Sequence, residues 1–542
     1  MQIAFGSGSC YDFHCFQISF SFKSWQSNAD TMKLSTFSDD HAEPRLLRQA
    51  LPLFFVLAGA ALLLATTVGA AVSLTVSPSL ITNDFVGKVT LTIAGLSAGA
   101  SVRVEKIADL NTNGVADAGE PVFRSLIVTD GQKPVLCGLA NLNVAGDTDG
   151  AANGQIKTVL YFPGADNALD RATGQFIYKI SNPTDGTQLA AQTFAVVPQR
   201  RSQGVRGRIT AGGAPLSNAV VALIRPKTPE TLIGATDASG NYAFYTDPAV
   251  YGVAGALKSG FVSDATSGFV TVAANQFVTN NFAMVSAGFT LSGKVSDLSS
   301  GIGISGITVV AQSTNNLLFS IGITDTNGNY NLPVTPTQWR VRPDEAQLAA
   351  AGYLSLPNRT KVNVSGSVAN INFQSPKADA LIYGTVSDDA GNPVLGLDCN
   401  AQQGSSGQGQ YEALGRSYVP DGAYALGVKT GTNWQVGIFN DALWINGFVA
   451  RPSVNVDLAG GCSARVDLVV TRMNLAQPAR ASSTGFQFQL NGVNQQNYTI
   501  LASSNLVDWV SLFTTNAPSD SFVVIDPAAT GARRFYRAAA GP

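Results

Sequence analysis

From residue 73 onward, apolar residues recur with period two or in short runs. Val102 and Val104 alternate with Arg103 and Glu105, while Val220-Val221-Ala222-Leu223, Ile307-Thr308-Val309-Val310 and Val466-Asp467-Leu468-Val469-Val470 form brief apolar stretches. Successive side chains of a strand face opposite sides of a sheet, so these patterns predict half-buried and core strands. No stretch sustains the period of an amphipathic helix. Clusters of Gly, Asn, Asp and Pro punctuate the runs roughly every ten residues, the spacing of hairpins and Greek-key connections in β-sandwiches. The prediction is an all-β chain of tandem sandwiches.

The long apolar stretch comes earlier. Arg45 and Arg48 precede Leu51 to Ala65, which carries no polar side chain, and Thr66-Thr67-Val68-Gly69-Ala70-Ala71 follows. Basic, apolar and small-residue segments in that order predict a signal peptide, with the mature chain starting near Ala71 or Val72. Leu51 to Ala71 is also long enough to cross ~30 Å of hydrocarbon, so an uncleaved single-pass anchor is the alternative, and the only predicted membrane attachment. Either Met1 or Met32 serves as the start. Both readings place the rest of the chain outside the cytoplasm, secreted or in the cell envelope.

Three copies of one pattern follow. The first runs Val205-Arg206-Gly207-Arg208-Ile209, Thr236-Asp237-Ala238-Ser239-Gly240-Asn241-Tyr242-Ala243-Phe244 and Gly260-Phe261. The second runs Leu291-Ser292-Gly293-Lys294-Val295, Thr324-Asp325-Thr326-Asn327-Gly328-Asn329-Tyr330, Trp339-Arg340-Val341 and Gly352-Tyr353. The third is weaker: Ile382-Tyr383-Gly384-Thr385-Val386, Pro420-Asp421-Gly422-Ala423-Tyr424, Trp434-Gln435-Val436 and Gly447-Phe448, with Tyr418-Val419 where the Thr-Asp pair stands. Leading glycines roughly ninety residues apart are too widely spaced for a solenoid and suit independent domains. In Thr-Asp-x-x-Gly-Asn-Tyr the Asp side chain is placed to accept backbone N–H groups and the Gly to take positive φ, while the Tyr enters the core.

This pattern resembles the carboxypeptidase regulatory-like family, also called the transthyretin-like or carbohydrate-binding-like sandwich, over about residues 203 to 473. The resemblance implies a structural or recognition accessory. The domain reading is a leader at 1–72, an Ig-like β-domain at 73–198, regulatory-like repeats at 203–285, 287–377 and 379–473, a linker at 474–485, and a small C-terminal β-module at 486–542. In that last module Tyr498-Thr499-Ile500-Leu501-Ala502-Ser503-Ser504-Asn505-Leu506-Val507-Asp508-Trp509 and the ending Arg533-Arg534-Phe535-Tyr536-Arg537 resemble a small β-module found on many secreted bacterial proteins.

Composition narrows the function. Charged residues are 13% of the chain and the formal net charge is −2; with no block of like charge, nucleic acid is not an expected partner. The only histidines, His14 and His41, precede the export segment. A processed chain then holds no Ser-His-Asp, Cys-His or His-ligated zinc site, and peptidase activity does not follow from the family resemblance. Gly301-Ile302-Gly303-Ile304-Ser305-Gly306 matches a dinucleotide fingerprint without the strand-helix unit that fingerprint needs, so no nucleotide is expected. A hydrolase using two carboxylates needs no histidine and stays a lesser alternative.

Asp109-Leu110-Asn111-Thr112-Asn113-Gly114-Val115-Ala116-Asp117-Ala118-Gly119-Glu120 has the spacing of a calcium loop. Oxygen side chains at Asp109, Asn111, Asn113, Asp117 and Glu120, with the Val115 carbonyl, supply the hard ligands calcium takes, and Gly114 permits the turn. The competing reading is an Asx-rich hairpin without metal. Trp339 and Trp434, aligned between repeats, are expected in cores. Tyr411, Tyr418 and Trp444 lack counterparts and are the candidate carbohydrate-stacking residues. Cys399 and Cys462 share a repeat and are a possible disulfide, two free buried thiols being the alternative, with Cys137 left over. The functional expectation is a non-enzymatic structural or adhesive protein with envelope-protein partners. A binder of extracellular polysaccharide is the runner-up.

Overall fold

The computed structural model describes residues 71–162, 172–225, 231–263, 269–314, 318–356, 360–403, 411–418, 420–431, 433–439, 443, 447–481, 485–506, 509–529 and 534–540. The export segment therefore lies outside the described residues, as does Trp444. Among the described residues the chain is built of forty-two strands and one short helix, Glu345–Ala350. No helix among them is long and apolar enough to cross a membrane. The fold is all-β, a series of sandwich modules.

Strands form where the alternation is clean. Ser73–Ser77 and Gln155–Phe162 bury every second residue, and with Gly87–Ala94 they make one sheet of the first module. The facing sheet orders Leu80–Thr82, Gln188–Val197, Gly174–Ser181, Ser101–Ala108 and Val122–Thr129. Leu91, Ile93, Val104, Phe176 and Ile180 fill the space between. Lys106 is fully buried there, its ammonium 4.2 Å from the centre of the Phe176 ring and 5.4 Å from that of Phe194.

The three repeats share one topology. Each leading strand, Gly204–Ala211, Phe289–Asp297 or Ala380–Asp388, pairs antiparallel with the strand carrying the motif Tyr and parallel with a closing strand. Opposite lies a four-stranded sheet, ordered in the second repeat Phe319–Ile323, Thr308–Ser313, Gln338–Pro343 and Thr360–Asn363. The leading Gly and the motif Tyr are cross-strand neighbours: Gly207 faces Tyr242, Gly293 faces Tyr330 and Gly384 faces Tyr424. Each buried Tyr donates its hydroxyl, at 2.6 Å, to the carbonyl of Asn280, Ile371 or Val466. A Cβ on the facing glycine would collide with that same oxygen. The two sequence markers are thus halves of one clamp: the glycine admits the carbonyl and the tyrosine holds it.

The turn before each Tyr shows why the third copy diverges. Thr236 and Thr324 accept the N–H of Ala219 and Ile307 with their hydroxyls. In the third repeat Ser417 does so for Leu397, one position earlier than counting back from Tyr424 suggests. The turn is one residue longer, and Tyr418 takes the place of the turn Asp. Trp339 and Trp434 are core residues, with indole N–H groups donated to the Thr335 and Lys429 carbonyls. Repeat one fills this place with Tyr251, whose hydroxyl binds the Asp247 carbonyl.

Residues 474–485, expected as a linker, are largely a strand: Asn474–Ala481 pairs with Gly485–Asn491 and opens the last module. Pro478 falls where the register shifts between Ala476 and Ala479, the kind of irregularity that tolerates a residue without an N–H. Phe488, Leu490, Tyr498 and Ile500 form that module's core, joined by Val449 of the third repeat.

Candidate functional site

The twelve-residue loop joins Ser101–Ala108 to Val122–Thr129 through a network of its own side chains. Asp109 is buried and accepts the N–H of Asn113 at 3.0 Å and of Gly114 at 2.8 Å, with Gly114 at φ +76°. Glu120 reaches back to the N–H of Leu110 and Asp117, both at 2.9 Å. The amides of Asn111 and Asn113 each donate to Asp117 at 2.7 Å, and their carbonyl oxygens accept the N–H of Asn113 and Val115. Asn111, Asn113 and Asp117 are thus brought together, whereas the Asp109 and Glu120 carboxylates are each engaged by backbone. No cluster of three or more His, Cys, Asp or Glu side chains among the described residues has the arrangement of a metal centre. To receive a cation, both amides must turn their oxygens toward Asp117.

Tyr411 and Tyr418, the two candidate sugar-stacking residues among the described residues, do not form an open platform. Tyr411 is half-buried and packs against the third repeat's core. Tyr418, also half-buried, reaches from its own repeat to the first module: its hydroxyl donates to Asn143 there at 2.7 Å, and its ring centre lies 4.8 Å from that of Tyr161. Burial pushes the Tyr418 hydroxyl up to about 12, so it remains a donor throughout the neutral range. Asn143 in turn donates to the carbonyls of Leu414 and Ala425 at 3.0 and 2.8 Å.

The cysteines correct the sequence expectation at the same place. Cys462 pairs with Cys137, 325 residues away, with Cα atoms 5.9 Å apart, and Cys399 is free and buried. The pairing of Cys399 with Cys462 fails because Cys399 points inward from Asp398–Gln403 into the core, whereas Cys462 sits on the turn before the closing strands. Cys137 projects from the short hairpin Val135–Ala140 of the first module and adopts φ +53°. Leu136 beside it packs against the third repeat's core. A non-glycine residue at positive φ is held by surrounding contacts, here a covalent bond and a docked Leu.

The first module also touches the other repeats. Thr173 donates its N–H and hydroxyl to the Ile233 carbonyl of the first repeat, and Val220, Ala222 and Ile233 join the first module's core. Arg103 donates to the Ser305 hydroxyl of the second repeat at 3.2 Å, and a Cβ on Gly306 would meet Ser125. Independent tandem domains were the sequence expectation, and the structure shows one module in contact with three repeats.

Between the second and third repeats, Ser355 and Glu412 exchange backbone hydrogen bonds. The buried Glu412 carboxylate accepts the amides of Asn400 and Gln402 at 3.3 and 3.2 Å. Burial raises its pKa, with Glu345 adding repulsion, while the two amides and Arg342 oppose the shift. A carboxyl that titrates higher folded than unfolded contributes stability below its ordinary pKa and loses it as pH rises through the raised value. Glu412→Gln should therefore raise the melting temperature near neutral pH and leave it little changed at about pH 4. A parallel drop at both pH values would show that the carboxylate's acceptor geometry, not its charge, governs the site.

These features define a class, a multi-module β-sandwich chain whose modules dock through dedicated polar and covalent contacts. No family model matches the chain, and neither does any curated protein. Among solved structures it is similar to the Bacillus anthracis TIE protein, at 13% identity over 74% of this chain and 75% of that one, with a TM-score of 0.17. It is also similar to a Streptococcal ancillary pilin, at 10% identity over 52% and 93% with a TM-score of 0.15. A third is the major pilin subunit BcpA of Bacillus cereus, at 11% over 50% and 99% with a TM-score of 0.14. At such TM-scores, the function of this chain has to be argued from its own residues.

Proposed function

We propose that this chain is a non-enzymatic structural or adhesive protein, secreted or held in the cell envelope, whose partners are other envelope proteins. The observation that carries this reading is the junction of the first and third modules, where Cys137, Asn143, Tyr161, Tyr418 and Cys462 join parts of the chain far apart in sequence. Disulfides persist outside the reducing cytoplasm. Side chains committed to holding modules together serve a scaffold, and the sequence beyond residue 41 offers no histidine for acid–base catalysis. The regulatory-like resemblance of residues 203–473 supports the same reading, as an accessory fold. No feature of Tyr411 or Tyr418 favours the polysaccharide alternative. Fractionation of producing cells, with protease shaving of intact ones, tests the proposal: the chain should appear at the surface or in the medium with Cys137 oxidised. Recovery from the cytoplasm with Cys137 reduced would overturn it.

We further propose that Asp109, Asn111, Asn113, the Val115 carbonyl, Asp117 and Glu120 take one calcium ion as a structural ligand. The support is the ligand spacing, the positive φ of Gly114 and the convergence of Asn111, Asn113 and Asp117. Sites in extracellular modules commonly bind at ~0.1 to 1 mM, and a hundredfold excess over the dissociation constant adds ~2.7 kcal/mol. Melting of the full chain should rise with calcium and fall back with chelator, and Glu120→Ala should abolish the difference. Identical curves in calcium and chelator would leave the loop an Asx-rich hairpin.

A further inference from the structure

Between the first module and the first repeat lies a cavity of about 820 Å³. Its floor is apolar, made by Phe123, Val196, Val220, Ile233 and Phe244 from both modules. Its wall on the repeat side carries Arg206 and Arg208, which project from the leading strand Gly204–Ala211 and are exposed. Neither arginine forms an ion pair among the described residues. Arg208 spends only its Nε, on the Ser239 carbonyl at 2.9 Å, and Arg206 lies 6.0 Å from the Phe277 ring centre. Two carboxylates also line the cavity: Asp109, from the first module, is engaged by the N–H groups of Asn113 and Gly114, and Asp237, from the repeat, by those of Ser239 and Asn241, while Arg208 acts on Asp237 electrostatically without an ion-pair contact. A cavity of this size at a module boundary, with an apolar floor and a few placed polar groups, has the make-up of a small-molecule site.

From this arrangement we infer that the cavity binds an amphipathic anion, a molecule with an aromatic or short acyl body and a single carboxylate or sulfonate. The body covers the apolar floor. The anionic end meets the guanidinium groups of Arg206 and Arg208, whose planar donor forks suit two-oxygen acceptors. A neutral ligand would leave Arg206 without a counter-charge in contact and Arg208 with only the nearby Asp237, and a polyanion would bring charge to a floor that cannot solvate it.

The probe is 1-anilinonaphthalene-8-sulfonate, with its uncharged relative N-phenyl-1-naphthylamine as the comparison, added to the folded full-length chain. Saturable fluorescence at one site per chain is expected for the sulfonate, and at least tenfold weaker binding for the neutral probe. Arg206→Ala with Arg208→Ala should weaken the sulfonate tenfold or more and leave the neutral probe unchanged. Ala243→Trp, at an exposed position on the cavity wall, should fill the space and abolish both signals without lowering the melting temperature. Sulfonate binding that survives Ala243→Trp, or equal affinity for the two probes, would overturn the assignment. So would the lack of a saturable signal from the folded chain.

Discussion

Replacing Cys137 or Cys462 with Ser should destabilise the docking of the first module on the third repeat by about 5 kcal/mol, since the bond closes a loop far longer than 100 residues. The chain-entropy cost grows only slowly with loop length, so the figure is close to a ceiling. The two single variants and the double variant should behave alike, because either substitution removes the same bond. Cys399→Ala offers the contrast: it deletes one buried sulfur and should cost about 1 kcal/mol, as small core truncations do. Denaturant unfolding with and without reductant reads the first difference, and thiol labelling after partial unfolding reads the pairing. Rapid labelling of Cys137 in the oxidised native chain would remove the cross-link from the account. A Cys399→Ala variant as damaged as Cys137→Ser would point to the rival pairing.

Trp434→Ala should cost the third repeat about 3 to 5 kcal/mol, the range for truncating a fully buried large aromatic. The indole is 1% exposed, lies in the same core cluster as Cys399, Leu426 and Val436, and donates its N–H to the Lys429 carbonyl at 3.1 Å. Trp434→Phe keeps most of the packing and gives up the hydrogen bond, so about 1 to 2 kcal/mol is expected. The equivalent change at Trp339 should act on the second repeat with similar size, since that ring is as deeply buried and its N–H is held by Thr335. A loss under about 1 kcal/mol at both positions would mean that the rings are not core elements.

How much of this was legible in the sequence depends on distance along the chain. Period-two patterning identified strands because a strand's burial is local, as in Ser73–Ser77 and Gln155–Phe162. The repeat register was legible because Gly207, Gly293 and Gly384 and their Tyr partners recur at fixed places, although their shared carbonyl was not visible from residue types. The third copy's longer turn was hidden by simple counting, because Ser417 substitutes for Thr at a shifted position. Tyr251 went unseen as the counterpart of the two tryptophans because it differs in type. The module junction was not legible: Cys137 with Cys462 and Asn143 with Tyr418 are each joined across hundreds of residues, and no spacing rule connects them. The same holds for the cavity, whose floor and arginines come from two modules. The calcium-type loop is the reverse case, conspicuous in sequence because all its ligands are local, yet in the structure the Asp109 and Glu120 carboxylates are spent on the loop's own backbone and Asp117 on the amides of Asn111 and Asn113.

The Cys137–Cys462 cross-link also sets the path that tension takes. A pull applied between residues before 137 and residues after 462 runs through the sulfur–sulfur bond and bypasses the intervening chain. Most of the three repeats then carries no load, and an extended length on the order of 1,000 Å, at ~3.4 Å per residue, is withheld from stretching. A chain wired this way yields first outside the loop, in the early strands of the first module, the closing strands of the third repeat that follow Cys462 and the C-terminal module, while most of the three repeats stays folded under strain.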